Sequence, residues 1–148
     1  MSVLLLVSQM SLVVHAAVPA APVPVILDTD IGSDIDDTWA LAMMLNSPQI
    51  DLKLVTTAFR DTPVRTRLLA KMLERWGRTD IPIGTGVKTE DGGLNQLEWL
   101  GDYDIADYPG MVYEDGVQAL IDTVKKSEQL VTLVVIGPQT NIGEALKR

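Results

Sequence analysis

Five carboxylates fall within ten residues in the stretch Asp28-Thr-Asp30-Ile-Gly-Ser-Asp34-Ile-Asp36-Asp37. Like charges packed this densely repel one another unless a cation offsets them. Carboxylates are hard oxygen ligands, so the cluster points to a hard divalent metal, Ca²⁺ or Mg²⁺ and not a softer ion. No Cys or His accompanies them, which argues against zinc. Gly32 permits a sharp turn in the middle of the cluster. Asp36 and Asp37 stand where a helix should begin, so either could cap it, and its backbone amides favour negative charge there. Asp28 ends an apolar run and either faces the same rim or ties the loop down. The spacing is not that of an EF-hand, and neither a G-x-G-x-x-G nor a Walker A sequence occurs.

The surrounding pattern says how such a loop would be held. Val23 to Leu27 is a short β-rich run, read as a buried parallel strand. Residues 38–47 read as a helix ended by Asn46-Ser47-Pro48. Leu52 to Phe59 reads as a second strand. Residues 62–76 read as a helix with Pro63 in its first turn and Gly77 at its end. Residues 80–84 form a third strand, and Met111 to Lys126 a helix. Leu130 to Ile136 forms a fourth strand, and Gly137-Pro138 opens a last helix. The Gly- and Asp-rich stretch 85–110 is long enough to be a functional loop, with Asn95, Glu98, Trp99, Asp102 and Tyr103 as lid candidates. The fold class expected is α/β, an open, mainly parallel sheet with flanking helices, Rossmann-like. In such sheets ligands bind at the carboxyl ends of strands. The acidic loop, Arg60-Asp61 and the Gly137-Pro138 turn all fall on that edge. A helix stopping at Leu146-Lys147-Arg148 after four strands reads as an incomplete domain.

Composition narrows the chemistry further. The chain has 148 residues, 47% of them apolar, and a net charge of -8. The length suits about one domain. Clustered Lys and Arg are absent, which excludes a nucleic-acid polymer as partner. The group Arg60, Arg65, Arg67, Lys71, Arg75 and Arg78 reads as the wet side of a helix. Cysteine is absent and the one histidine is His15. Residues 3–14 are apolar and small residues follow, as in a secretory signal with cleavage near Ala16 or Ala17. The expected organisation is a signal peptide over 1–17 and a domain over 18–148, secreted or periplasmic, otherwise cytoplasmic, with no stable membrane insertion after cleavage. Trp39 and Trp76 read as packing residues.

The stretch VILDTDIGSDIDDTWALAMML resembles the amino-terminal signature of the inosine-uridine-preferring nucleoside hydrolases. LKLVTTAF, GRTDIPIGTG and LVTLVVIGPQTNIGEAL resemble later family segments in the same order, so the likeness runs over residues 23–148. It implies a Ca²⁺ enzyme that hydrolyses the N-glycosidic bond of ribonucleosides through a metal-activated water, with a nucleoside as small-molecule partner and a homo-oligomer as one expected state. By position it implies Asp30 and Asp37 as metal ligands, with the backbone carbonyl of Ile136 joining them. It implies Asp36 as the carboxylate that contacts ribose and activates water. Asp61 falls where many members carry a sugar-contacting Asn. Asp28, Asp34 and Asn141 are further candidates, Asn141 as a tie between the Gly-Pro turn and the metal loop.

Two departures accompany the likeness. The family form D-x-D-P-G-x-D-D here holds two extra residues, Asp34 and Ile35, so Asp34 competes with Asp36 for the role of base. Arg60-Asp61 also replaces the family's Gly-Asn pair. The resemblance further implies that another metal-binding Asp and an adjacent His belong to a later part of the family's sequence, leaving this chain inactive alone. Two other readings stay open. One is a haloacid dehalogenase-type phosphatase with Asp28 as nucleophile, and the other is a non-catalytic secreted calcium- or sugar-binding protein.

Overall fold

The computed structural model describes residues 21–148. The expected signal peptide, residues 1–17, and His15 lie outside them. Five strands form one parallel sheet: β1 (Val23–Thr29), β2 (Ile50–Thr57), β3 (Ile83–Thr85), β4 (Val112–Tyr113) and β5 (Thr132–Val135). Their spatial order is β4-β3-β2-β1-β5. The chain steps outward from β1 to β4 and then returns to the opposite side of β1. That reversal makes the carboxyl ends of β1 and β5 the switch point at which open α/β sheets bind ligands.

Helices cover both faces. The helices α1 (Asp36–Leu45), α2 (Thr62–Arg75) and the short α3 (Leu97–Leu100) lie on one side, and α4 (Gly116–Lys126) and α5 (Thr140–Ala145) on the other. Strand alternation sorts the residues between them. Val25 and Leu27 join Leu41, Leu69 and Leu73 in the larger core, whereas Ile26 joins Leu54 and Leu120 in the smaller one. By the same parity Asp28 faces the α4/α5 side and Thr29 the α1/α2 side.

One irregularity governs this sorting. The β1–β2 register shifts between Val25, paired with Leu52, and Ile26, paired with Leu54. Lys53 is the residue left over, exposed in a β-bulge. Leu52 and Leu54 therefore enter opposite cores although their spacing would put them on one face. Beyond the bulge, Thr56 stands beside Asp28 and Thr57 beside Thr29.

Several sequence expectations are corrected in detail. Residues 111–126 are not one helix. Val112 and Tyr113 make the edge strand β4, and α4 starts at Gly116 behind the Asp115 cap. Two strand residues carry almost no periodic signal, which is why they escape notice. The stretch 85–110 is built around α3 and a 3₁₀ turn at Ile105–Asp107. Neither Asp36 nor Asp37 caps α1. Ile35 occupies the cap position without a side-chain bond, and both aspartates sit in the first turn. The helix buries Asp37, Leu41 and Met44 at helical spacing and leaves Trp39 69% exposed. Trp76 is 43% exposed, so neither tryptophan is a core residue.

The basic group is not uniformly wet either. Arg65 is fully buried. Arg67 bonds the Tyr103 carbonyl, and Lys71 the carbonyls of Trp99 and Leu100. These side chains hold the long segment onto α2. Among the described residues, no helix is long and apolar enough to cross a membrane.

Candidate functional site

The acidic loop leaves β1 at the switch point, and three threonines at strand ends organise it. Thr29 donates its hydroxyl to Asp37 Oδ1 and accepts the Ile31 amide at 3.1 Å. The side chain of the last β1 residue thus fixes the first turn of α1 against the loop. Thr56 donates to Asp28 Oδ1 at 2.5 Å across the β1–β2 register. Thr57 shares hydrogen bonds with Thr66 of α2, which in turn reaches Thr85 at the end of β3.

Asn141 makes the longest connection. Its amide donates to Asp28 Oδ1 at 2.7 Å and to the Thr57 carbonyl at 3.0 Å, and its oxygen accepts the Val87 amide at 2.9 Å. Both amide hydrogens and the carbonyl are used, with the residue fully buried. One side chain therefore joins the start of α5 to the ends of β1 and β2 and to the loop after β3.

Close backbone packing completes the rim. Gly32 has φ +100°, and a Cβ there would stand 2.6 Å from Leu68 Cδ2. Only glycine lets the loop turn there while lying against α2. A Cβ on Gly137 would meet the Asp30 amide nitrogen at 2.8 Å and Asp30 Oδ1 at 3.2 Å. The Ile136–Gly137 turn after β5 is thus pressed onto Asp30, and the Ile136 amide bonds the Asp28 carbonyl at 2.9 Å.

The carboxylates divide by environment. Asp28 is fully buried, and its Oδ2 has no hydrogen-bond partner. Burial lifts its carboxyl above the usual range, the Thr56 and Asn141 bonds oppose this, and Asp30 adds to it. Asp37 is 5% exposed. Burial raises its carboxyl too; the Thr29 bond opposes the rise, and the negative charges of Asp30 and Asp36 reinforce it. Asp30 is half-buried, while Asp34 and Asp36 are exposed. The Asp34 carbonyl accepts from Gln96 Nε2 at 3.0 Å, which pins the two extra residues to the segment after β3.

Asp61 lies on the rim after β2, next to Phe59 and Arg60, which both adopt left-handed backbone (φ 70° and 55°). Its carboxylate faces Lys88 Nζ at 3.5 Å and the Gly92 amide at 3.4 Å. The structure thus brings Asp28, Asp30, Asp37, Gly137 and Asn141 together, with Asp36 on the first turn beside them. Asp61 is instead engaged with the 86–92 segment. Thr29, Thr56 and Arg65 escape the sequence reading. The threonines carry no signal of their own in the sequence, because only the β1–β2 register sets Thr56-Thr57 beside Asp28-Thr29.

The donors suit a hard cation. Asp30 and Asp37 offer carboxylates, the Ile136 carbonyl belongs to the turn packed on Asp30, and the Asp28 oxygen is buried without a partner. Among the described residues, no group of three or more His, Cys, Asp or Glu side chains converges as a metal cluster. Asp30 and Asp37 are thus a pair and not a closed cluster of carboxylates. A surface hollow bordered by Pro22, Asp51, Lys126 and Gln129 opens at the opposite edge of the sheet and holds none of these groups.

Known proteins share the sequence pattern and the fold of this chain. The family model described as inosine-uridine preferring nucleoside hydrolase matches residues 25–148. The chain is 35% identical over 135 residues to the probable uridine nucleosidase 2 of Arabidopsis thaliana, covering 83% of this chain and 41% of that protein. It is 34% identical over 129 residues to the pyrimidine-specific ribonucleoside hydrolase RihA of Escherichia coli, covering 80% and 41%. The chain thus spans about two fifths of the length of the curated relatives it matches. The fold is similar to that of an inosine-guanosine nucleoside hydrolase, with TM-score 0.62 and 20% identity over 84% of this chain and 42% of that one. It is also similar to the type III effector protein XopQ complexed with adenosine diphosphate ribose, with TM-score 0.68 and 22% identity over 87% and 40%. By its sequence match over residues 25–148, the chain belongs to the inosine-uridine preferring nucleoside hydrolase family.

Proposed function

We propose that this chain carries the metal-binding part of a ribonucleoside hydrolase site, one that cleaves the N-glycosidic bond to free base and ribose. The observation that carries the reading is Asp37, buried and held by Thr29 beside Asp30 at the β1/β5 switch point. Asp30, Asp37 and the Ile136 carbonyl would hold the cation, an all-oxygen set that suits Ca²⁺ or Mg²⁺, with Ca²⁺ preferred on the family resemblance. When bound, the cation lowers the pKa of water and supplies positive charge for sugar hydroxyls.

The chain's own groups do the rest. Asp36, exposed on the first turn of α1, accepts the proton of the attacking water. Asp36 is preferred to Asp34 because it adjoins Asp37 directly and its charge acts on that carboxyl. Asp34 sits in the two-residue expansion held by Gln96. The carboxylates at the rim stabilise the positive charge that develops on the sugar. Asp61 is a weaker sugar ligand than its position suggested, because Lys88 and the Gly92 amide already engage it.

The phosphatase reading needs Asp28 as an accessible nucleophile. That residue is fully buried, with Oδ1 occupied by Thr56 and Asn141, which disfavours it. The test has two arms. Calcium is titrated calorimetrically into this chain and its Asp30→Asn and Asp37→Asn variants, and both substitutions should weaken binding at least tenfold. Reducing sugar released from uridine and inosine is then followed in a protein of the relatives' full length carrying this segment. Calcium binding without sugar release would favour a non-catalytic binder. Sugar release that survives Asp37→Asn would sink the metal assignment.

A further inference from the structure

Arg65 is the one cationic side chain among the described residues that is fully buried, and it lies under the acidic loop. It rises from the first turns of α2 and meets no carboxylate directly; its bonds all go to backbone carbonyls. Nε donates to Phe59 O at 2.7 Å. Nη1 donates to Ile31 O at 2.8 Å and also to Asp30 O. Nη2 donates to Gly93 O at 3.2 Å. These carbonyls belong to three separate segments: the acidic loop, the turn after β2, and the segment after β3. A planar guanidinium can span three such partners at fixed angles, which a lysine ammonium on a flexible stem cannot.

We propose that Arg65 is a positioning residue that locks the 86–96 segment and the Phe59 turn to the acidic loop, so that the candidate metal-binding carboxylates and the wall above them move as one unit. This deepens the site reading given above and rests on it only for the importance of the carboxylates; the clamp itself is formed without a metal. The two-sided grip follows from the bonds. Asp30 is itself a candidate metal ligand and Ile31 follows it in the loop, and Gly93 lies on the other side of the guanidinium. Its backbone is left-handed (φ +81°), and a Cβ there would stand 2.4 Å from Arg60 Cδ. Asn95 and Gln96 amides add bonds to Gly32 O at 2.8 and 3.1 Å, but these attach further along the loop. Gln96 Nε2 likewise reaches the loop at the Asp34 carbonyl, and among the described residues Arg65 alone ties the Asp30 carbonyl to the segment above. The 86–96 segment is then a fixed wall of the site and not a swinging lid.

Amide hydrogen exchange tests this without reference to activity. Arg65→Ala should raise exchange about tenfold in both 28–38 and 86–96 while leaving β1 and β2 protected. Guanidinium ion at low millimolar concentration should restore both segments together, and the same concentration of sodium chloride should not. Arg65→Lys keeps the charge and much of the stem, and so covers the case in which the alanine variant does not fold. It should also lose protection in both segments. A uniform rise over the whole chain, a change in one segment only, or wild-type protection in Arg65→Lys would each overturn the clamp. Calcium titration of the same samples reports separately on the metal: a confirmed clamp with no calcium response would remove the metal reading and leave Arg65 in place.

Discussion

Asn141 donates to Asp28 Oδ1 at 2.7 Å although 113 positions separate the two in sequence. The contact exists because β5 returns to the far side of β1, bringing the start of α5 over the end of the first strand. Replacing Asn141 by Ala would leave the part-buried Val87 amide without its acceptor and the buried Thr57 carbonyl without its Asn141 donor. Each orphaned group costs about 1–3 kcal/mol. The expected loss is about 2–4 kcal/mol in urea unfolding. A loss within experimental error of zero would mean that the bridge is not stabilising.

Asp28 and Asp37 give the metal-free protein an unusual response to pH. Both carboxyls are raised on folding, with burial the largest cause. The folded state then binds more protons than the unfolded one in the window above the ordinary Asp value of 3.8. Their contribution to stability is present at lower pH and is lost as pH rises through the folded values. Asp28→Asn removes one of the two ionisations while keeping an oxygen for Thr56 and Asn141. Its melting temperature relative to wild type should therefore climb as pH rises above the ordinary Asp value, in the presence of a chelator. A flat difference would show that Asp28 carries no such penalty.

Thr29 makes a narrower prediction. Its hydroxyl links Asp37 Oδ1 to the Ile31 amide. Valine has nearly its shape and keeps the β-branch, so the strand itself should be undisturbed. Thr29→Val should cost about 1–2 kcal/mol of stability and weaken calcium binding about tenfold, because Asp37 loses the contact that aims it. Calorimetry on this chain measures both. Calcium affinity unchanged beside a stability loss would separate Thr29 from the site.

The sequence pattern reveals the sheet and the loop more readily than the wiring between them. Val23–Leu27 is a continuous apolar run, and Leu52–Phe59 and Leu130–Ile136 are rich in apolar and β-branched residues, so those strands could be read directly, although β5 lies at the sheet edge with Leu133 and Ile136 exposed. The acidic loop was legible because charge density after a buried strand needs an explanation. Val112–Tyr113 was not, since two residues hold no period. Arg65 read as solvated because its spacing on α2 resembles that of Arg67 and Lys71. Its burial depends on four carbonyls from segments that only the fold brings together. Thr56 is a strand-end residue like any other until the register sets it beside Asp28.

That register rests on the bulge, and the bulge makes a prediction contrary to ordinary expectation for a sheet strand. Deleting one residue from a regular strand reverses the facing of everything beyond it. Here Lys53 is the unpaired residue between the Val25–Leu52 and Ile26–Leu54 pairs. Leu52 already lies in the larger core and Leu54 in the smaller. Removing Lys53 would therefore leave Leu52 and Leu54 as adjacent residues on opposite faces, which is regular alternation. Val55, Thr56 and Thr57 would keep their sides, and Thr56 would still meet Asp28. The loss should be small, the exposed ion pair with Asp51 (2.5 Å) being worth under about 1 kcal/mol. Deleting Leu54 instead would bring Lys53 beside Ile26 and put its charged side chain toward the smaller core, which should unfold the chain. Circular dichroism and urea unfolding of the two deletions distinguish them. Equal damage from both would show that Lys53 is not the residue outside the register.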